Sequence, residues 1–360
     1  MADLMTDTCT YDELVSKYEN FHVPAVHLYI NGRNAVQDLE LDIRSLELTL
    51  SLQTVSTAVI RLSGIYDPES RSFADSVKDK FKLGTVVEVG IGYGSELQKV
   101  LKGFVAALGA EFGQNAYLVV TVMDVRRLMI TGGVHHLLHQ VENYSDAVQT
   151  ILDEYSALCS AEVEGTNDQL TAPLSQRSTD YDFITRELIA PGRCDREFFV
   201  MGDTAYFRKP RQNTTPICSM ELGKGLREFS MESAYIDLQV DVTGYDQKEQ
   251  NIIEASADTT STEAQSSVLT PTPVHNIVDP EADTQDKADI RARAYADRQL
   301  AMRQTGRGVC VGLPELIPGR FVEIAMLEEM VNKKYYINQV THRIDKEGFV
   351  TTFETTGWEG

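Results

Sequence analysis

Four stretches carry side chains that could do chemistry. The densest is His135-His136-Leu137-Leu138-His139-Gln140-Val141-Glu142. On a helix, His135, His139 and Glu142 would project from one face at i, i+4 and i+7, and two imidazoles with a carboxylate can ligate zinc. That gives a metal-dependent hydrolase as the alternative function of the chain. The stretch lacks the His-Glu-x-x-His order that sets a general base between two ligands. It also reads as a polar connector, or as histidines titrating at an assembly interface.

Gly90-Ile91-Gly92-Tyr93-Gly94 has the glycines of a nucleotide loop without the G-x-G-x-x-G spacing, and Lys99 does not fit a P-loop. A glycine-rich strand end explains it better. The acidic pairs Asp180/Asp182 and Glu328/Glu329 could suggest glycoside hydrolysis. Asp180 and Asp182, however, fall at the start of a predicted helix, where negative charge favours the dipole. No catalytic, cofactor-binding or metal-ligating residue is assigned on this reading. No cofactor is expected, and the chain reads as a non-enzyme.

The elements that must position these residues are mostly strands. Pro24 to Ile30 ends at an Asn31-Gly32 turn, and Leu46, Leu48, Leu50 and Leu52 alternate with Glu47, Thr49 and Ser51 as in a half-buried strand. Further strands are predicted at Ala58 to Ser63, from Gly84, and through Leu118, Val120 and Val122, with a short helix in Glu69 to Phe81. The middle of the chain changes to helical period. Ser145 is the predicted N-cap of a helix through Val148, Ile151, Leu152, Tyr155 and Leu158, and Thr179 opens a second that stops at Pro191-Gly192. A hairpin comes next, turning at Gly202-Asp203. Beyond it come strands from Ile217 and Leu226, an alternating strand at Ile236 to Val242, and a Ser/Thr/acid-rich loop at about 247–281. A helix at about 283–304 is expected to cover the second β domain. The last fifty residues read as a meander, closed by the Asp345-Lys346-Glu347-Gly348 turn.

Composition sets outer limits. The 360 residues suffice for two or three domains, and the formal net charge of −21 argues against binding nucleic acid through phosphate contacts. It predicts a soluble surface, or a wall that repels DNA. No run approaches the roughly 18 apolar residues of a membrane span, so no membrane insertion by this chain is expected. The N-terminus has no signal-peptide pattern, and the five scattered cysteines predict reduced thiols in a protein made in the cytoplasm.

One pattern occurs twice. Gly84-Thr85-Val86-Val87-Glu88-Val89 matches Gly319-Arg320-Phe321-Val322-Glu323-Ile324, and each leads at similar spacing into two more strands. With this repeat, the order of elements from about Pro24 to Glu354 resembles the phage late control protein D family, the baseplate hub of contractile tails. It is similar also to the N-terminal hub region of type VI secretion spike proteins. The features that carry the resemblance are the Gly84 strands closed by Asp124, the Asp180-Tyr181-Asp182-Phe183-Ile184 segment and the Phe199-Val200-Met201-Gly202-Asp203 hairpin. They continue in the Ile236 to Gly244 strand and in Gly312-Leu313-Pro314-Glu315-Leu316-Ile317-Pro318-Gly319 with Tyr336, Val340, His342 and Gly348-Phe349.

The resemblance implies a mainly β chain with an α+β insert: a first tube-like barrel over 1–131, a small α/β domain over 132–215, and a second tube-like barrel over 216–360. It implies a homotrimeric ring, so that three chains present six barrels and join a sixfold tail tube to a threefold spike. The implied partners are the tube protein, the spike, baseplate proteins, and cargo or DNA in the channel. Such a hub is made and assembled in the bacterial cytoplasm as part of a virion tail or injection particle. The chain stops soon after its last strand, which predicts a spike encoded as a separate chain. Trp358 is then either a satellite core residue or a contact at that junction.

Overall fold

A computed structural model of the chain describes residues 3–246, 248–259, 268 and 271–357. After α1 (Tyr11–Lys17), the first half holds six long strands: β1 (Pro24–Ile30), β2 (Asp42–Ser51), β3 (Thr57–Ser63), β4 (Val86–Tyr93), β5 (Glu96–Phe112) and β6 (Ala116–Met123). They lie in the order β1-β4-β5-β6-β3-β2, every neighbour antiparallel. The alternation of β2 decides its faces. Leu46, Leu48 and Leu50 are buried, while Glu47 and Thr49 look the other way.

The next segment has its own core. α2 (Tyr144–Asp153) packs near a sheet of β7 (Ser160–Val163), β8 (Glu197–Met201) and β9 (Thr204–Arg208). Val148, Ile151, Leu152, Phe183, Ile184, Leu188 and Phe207 form that core. The cap of α2 is Asn143, in a reciprocal box with Asp146, and not Ser145, whose hydroxyl instead accepts from the Thr166 amide. Thr179 does cap the next helix, receiving the Asp182 amide at 3.2 Å, but that helix widens into a π-helix over Phe183–Ile189.

The second half holds β10 (Pro216–Leu222), β11 (Gly225–Ser233), then a separate sheet of β12 (Gln239–Asp246), β13 (Asn251–Asp258) and β14 (Val274–Val278) under α3 (Gln285–Ala301). It ends with β15 (Gln304–Val311), β16 (Phe321–Ile324), β17 (Lys333–Asp345) and β18 (Gly348–Gly357). The order β10-β16-β17-β18-β15-β11 returns to β10, so six strands close into a barrel. Its interior is tight: the rings of Phe353 and Phe349 occupy the space a Cβ would need at Gly308 and Gly312. The first six strands repeat this order, but among the described residues no pairing joins β1 to β2.

Three expectations change here. The predicted loop at 247–281 contains β13 and β14, because Val240, Val242, Ile253 and Ala255 give that sheet an apolar face to bury. The alternating strand begins at Gln239 and belongs to this small sheet. The helix after it covers the same sheet through Ala288, Ala292 and Ala296, not the barrel; alanines let the helix approach closely. Trp358 lies outside the described residues.

Candidate assembly interface

Two bulges of the first half recur at equivalent places in the second, whereas the shift of β4 against β5 at Val89/Gly90 and that of β10 against β16 at Pro216/Ser219 stand alone. β5 bulges against β6 between Val105 and Ala107, and β17 bulges against β18 between Ile337 and Gln339. β2 bulges against β3 between Ile43 and Ser45, and β11 bulges against β15 between Leu226 and Glu228. A bulge bends a strand and re-aims the residues beyond it, so matched bulges give the halves matched curvature. They also fix an alignment in which Val105 stands for Ile337 and Ile43 for Leu226.

The halves join edge to edge. β2 pairs with β17 from Ser51↔Gln339 to Leu46↔Ile344. The result is an antiparallel wall of eight strands, β5-β6-β3-β2-β17-β18-β15-β11. At the junction Leu46, Leu48 and Leu50 meet Ile344, His342 and Val340, all buried. Burial pushes the His342 imidazole down to about 3, and its Nδ1 lies 2.9 Å from the Thr351 hydroxyl.

Both ends of this wall are open. Residues 107–112 of β5 pair with β6 on one edge and with no strand of the described residues on the other. Residues 227–233 of β11 pair with β15 and present a second free edge. Apolar side chains sit at these edges in solvent, with Leu108 39% and Phe112 65% exposed. Their counterparts under the junction are Val340 at 0% and Ile344 at 8%. A long, apolar, unpaired edge is a template for another strand.

The face of the wall turned from the core is rich in Thr, Ser and Val. It carries seven carboxylates (Asp42, Glu47, Glu111, Glu228, Glu232, Asp345, Glu354), against which stand Arg61, Arg307 and Arg343. This accounts for little of the chain's charge of −21. At one end of the wall, Ser51, Arg307, Gln339 and Glu354 of this face, together with the core-side Met231, Gly306 and Thr355, line a depression of about 710 Å³.

Buried polar clamps hold the wall to its appendages. Arg126, fully buried, pairs with Asp124 at 2.7 Å and donates to the Ser51 and Leu52 carbonyls and the Ser56 hydroxyl, fixing the β2–β3 turn. Glu197 on β8 accepts from Tyr336 on β17 at 2.7 Å and from Arg208 at 3.0 Å, while Arg208 donates to the Gly319 carbonyl. Burial raises both the Glu197 carboxyl and the Tyr336 phenol. Arg320 donates to the Leu4 and Asp7 carbonyls, and Lys17 and Tyr18 both reach Glu315, so the N-terminal segment is strapped onto the second half.

This architecture is shared with solved structures. A tail protein from Neisseria meningitidis MC58 superposes with a TM-score of 0.67 at 10% identity, over 93% of this chain and 97% of that one. The 43 kDa tail protein of prophage MuSo2 from Shewanella oneidensis gives 0.66 at 12% identity, over 92% and 97%. An E. coli component of the type VI secretion system, described as structurally similar to bacteriophage T4 tail proteins, gives 0.57 at 14%, over 92% and 77%. None of the curated proteins matches the chain. A family model described as the Alg8 N-terminal domain matches residues 21–346. The chain belongs to the Alg8 N-terminal domain family.

That description names no activity; the solved structures place this Alg8-type domain among tail and secretion-system folds, as the resemblance in the sequence implied. The histidine cluster does not behave as a site in it. Leu137–His139 is a short strand paired with Leu174–Gln176, so His135, His139 and Glu142 do not share a helical face. The preceding helix, Arg126–Thr131, ends at Gly132, and Gly133 has φ +108°, which stops the turn from continuing. His139 Nε2 is 2.7 Å from the Gln176 side-chain oxygen, and His135 lies 3.6 Å from Asp180. Among the described residues no group of three or more His, Cys, Asp or Glu could hold a metal ion, which removes the geometry the hydrolase reading needed. Gly90 to Tyr93 lie in β4, where the Glu96 backbone crosses closely over Gly92, leaving no phosphate cradle. No helix is long and apolar enough to cross a membrane, among the described residues. The open edges escaped the sequence reading; their only signal was apolar alternation in Leu108, Ala110 and Phe112 with nothing named to cover it.

Proposed function

We propose that this chain is a structural hub of a contractile phage tail or injection system, assembled as a homotrimer that adapts a sixfold tail tube to a threefold spike. The observation that carries the reading is the wall: its two free edges, on β5 and β11, correspond to the edges of β17 and β2 that already join inside the chain. Three copies in head-to-tail order would close the wall into a cylinder of roughly 24 strands, about 40 Å across between backbones at about 4.8 Å per strand. The first half would then serve as a second tube-like barrel, giving six per ring.

The two ends of the wall suit different partners. At one end both halves present short turns, Gly113 to Asn115 and Lys346 to Glu347. A sixfold ring needs such equivalence, and this end is assigned to the tube. At the other end the β2–β3 turn is tight, whereas the β11–β15 connection holds β12 to β14 and α3. Only threefold symmetry survives there, which suits the spike and baseplate proteins. The face turned from the core would line the channel. Its sparse, mixed charge gives a passage of hydroxyl and aliphatic groups for cargo or DNA, rather than the strongly acidic wall that composition alone suggested. The role is assembly without turnover or cofactor, in a virion tail or injection particle put together in the bacterial cytoplasm.

Native mass spectrometry of the purified chain with electron microscopy tests this. A species of three times 40.2 kDa with an axial hole is expected. A chain that stays monomeric both alone and with its cognate spike overturns the reading.

A further inference from the structure

The internal junction is a template for the contact between copies. Its alignment, transferred through the matched bulges, points to one register: we infer that residues 107–112 of one copy pair antiparallel with residues 229–234 of the next, Ala107 opposite Ala234 and Phe112 opposite Phe229. This rests on the hub reading and names the strands that would execute it.

Four observations converge. The bulge pairs set β5 against β17 and β11 against β2 without freedom to slip by one residue, and a one-residue slip would turn every side chain to the wrong face. In this register Leu108, Ala110 and Phe112 lie opposite Ser233, Met231 and Phe229 on the core side, as Val340, His342 and Ile344 lie opposite Leu50, Leu48 and Leu46. The exposed Leu108 and Phe112 would gain the cover that their counterparts have. On the channel side Glu111 meets Ser230 and Glu232 meets Gly109, so no like charges stand directly opposite.

A second copy is the occupant, because the missing strand for each edge is the other edge of the same molecule. The contact is heterologous, and the hub reading closes it with a rotation of one third of a turn per copy.

Cysteine pairs read the register. In the template, the hydroxyls of Thr49 and Thr341 approach to 3.3 Å, so the equivalent positions, Glu232 and Gly109, bring side chains within disulfide reach. A Cβ at Gly109 meets only the Val119 Cβ, at 3.7 Å. The full chain carrying Gly109→Cys and Glu232→Cys should oxidise to a covalent trimer on a non-reducing gel. Gly109→Cys with Glu228→Cys, displaced along the same face, should not. A trimer by native mass that cross-links equally in both variants, or in neither, overturns the register and leaves the hub reading standing. A monomer with no disulfide in either variant overturns both.

Discussion

The two halves of the molecule follow the same strand order and share two bulges, yet one half is covered where the other is bare. Val340 and Leu108 occupy equivalent positions, and the first is wholly buried while the second is 39% exposed. The difference is the neighbour, since β2 lies over Val340 and nothing in the chain lies over Leu108. In the proposed trimer the next copy would cover these bare apolar positions. The halves differ again at their turns. The first locks its β2–β3 turn with Arg126 and Asp124, while the second opens the equivalent turn into a sheet and helix.

The largest expected effect breaks the clamp that keeps the first half's turn tight. Arg126→Ala leaves Asp124 buried without its cation and should cost about 3–5 kcal/mol in urea unfolding. A loss below about 1 kcal/mol would mean that water or relaxation satisfies Asp124, and the turn would owe its shape to the strands alone.

Next comes a matched pair of substitutions. Leu48→Ala, inside the covered junction, should destabilise the isolated chain by about 2–5 kcal/mol. Met231→Ala, its equivalent on the bare edge, should cost the isolated chain less than about 1 kcal/mol and act instead on trimer dissociation. If both destabilise the monomer alike, the two edges are not physically different and the comparison fails.

His342 separates the halves by pH, since its counterpart is Ala110. Its folded pKa, about 3, lies below the unfolded value of about 6.5, so the folded state excludes the proton. The neutral imidazole's contribution is complete above about pH 6.5 and is lost as pH falls towards 3, by about 2 kcal/mol at pH 5. His342→Leu should flatten that part of the stability profile relative to the parent chain. An unchanged slope would show that carboxylates alone set the acid response.

Much of the fold was legible because burial follows alternation. The leucines of β2, the Gly348 turn and the repeat at Gly84 and Gly319 all declare themselves locally. The sheet of β12 to β14 was harder, since its polar outer face (Asp241, Thr243, Glu254, Ser256) resembles loop composition while only alternate residues are apolar. The helical alternative for the histidine cluster fails because Gly132 and Gly133 end the helix before it. The interface was least legible: an edge is defined by the absence of a neighbour, which no local pattern encodes.

The smallest effect concerns an ion pair near the bare edge. Arg61 and Glu111 meet at 3.0 Å, both more than a third exposed. At the equivalent positions the second half has Val309 and Arg343, and Arg343 faces Glu47 across the junction. The pair is therefore not part of the repeated design. Exposed pairs contribute about 0–1 kcal/mol and are screened by salt, so Arg61→Ala should cost the isolated chain at most that, less at high ionic strength. Its effect on assembly should also be small, because Glu111 is placed opposite the neutral Ser230. A strong, salt-sensitive loss of trimer would instead show that Glu111 needs Arg61 to be tolerated beside the neighbouring copy's Glu228 and Glu232. The bare edge would then be held in register by charge as well as by the strand ladder.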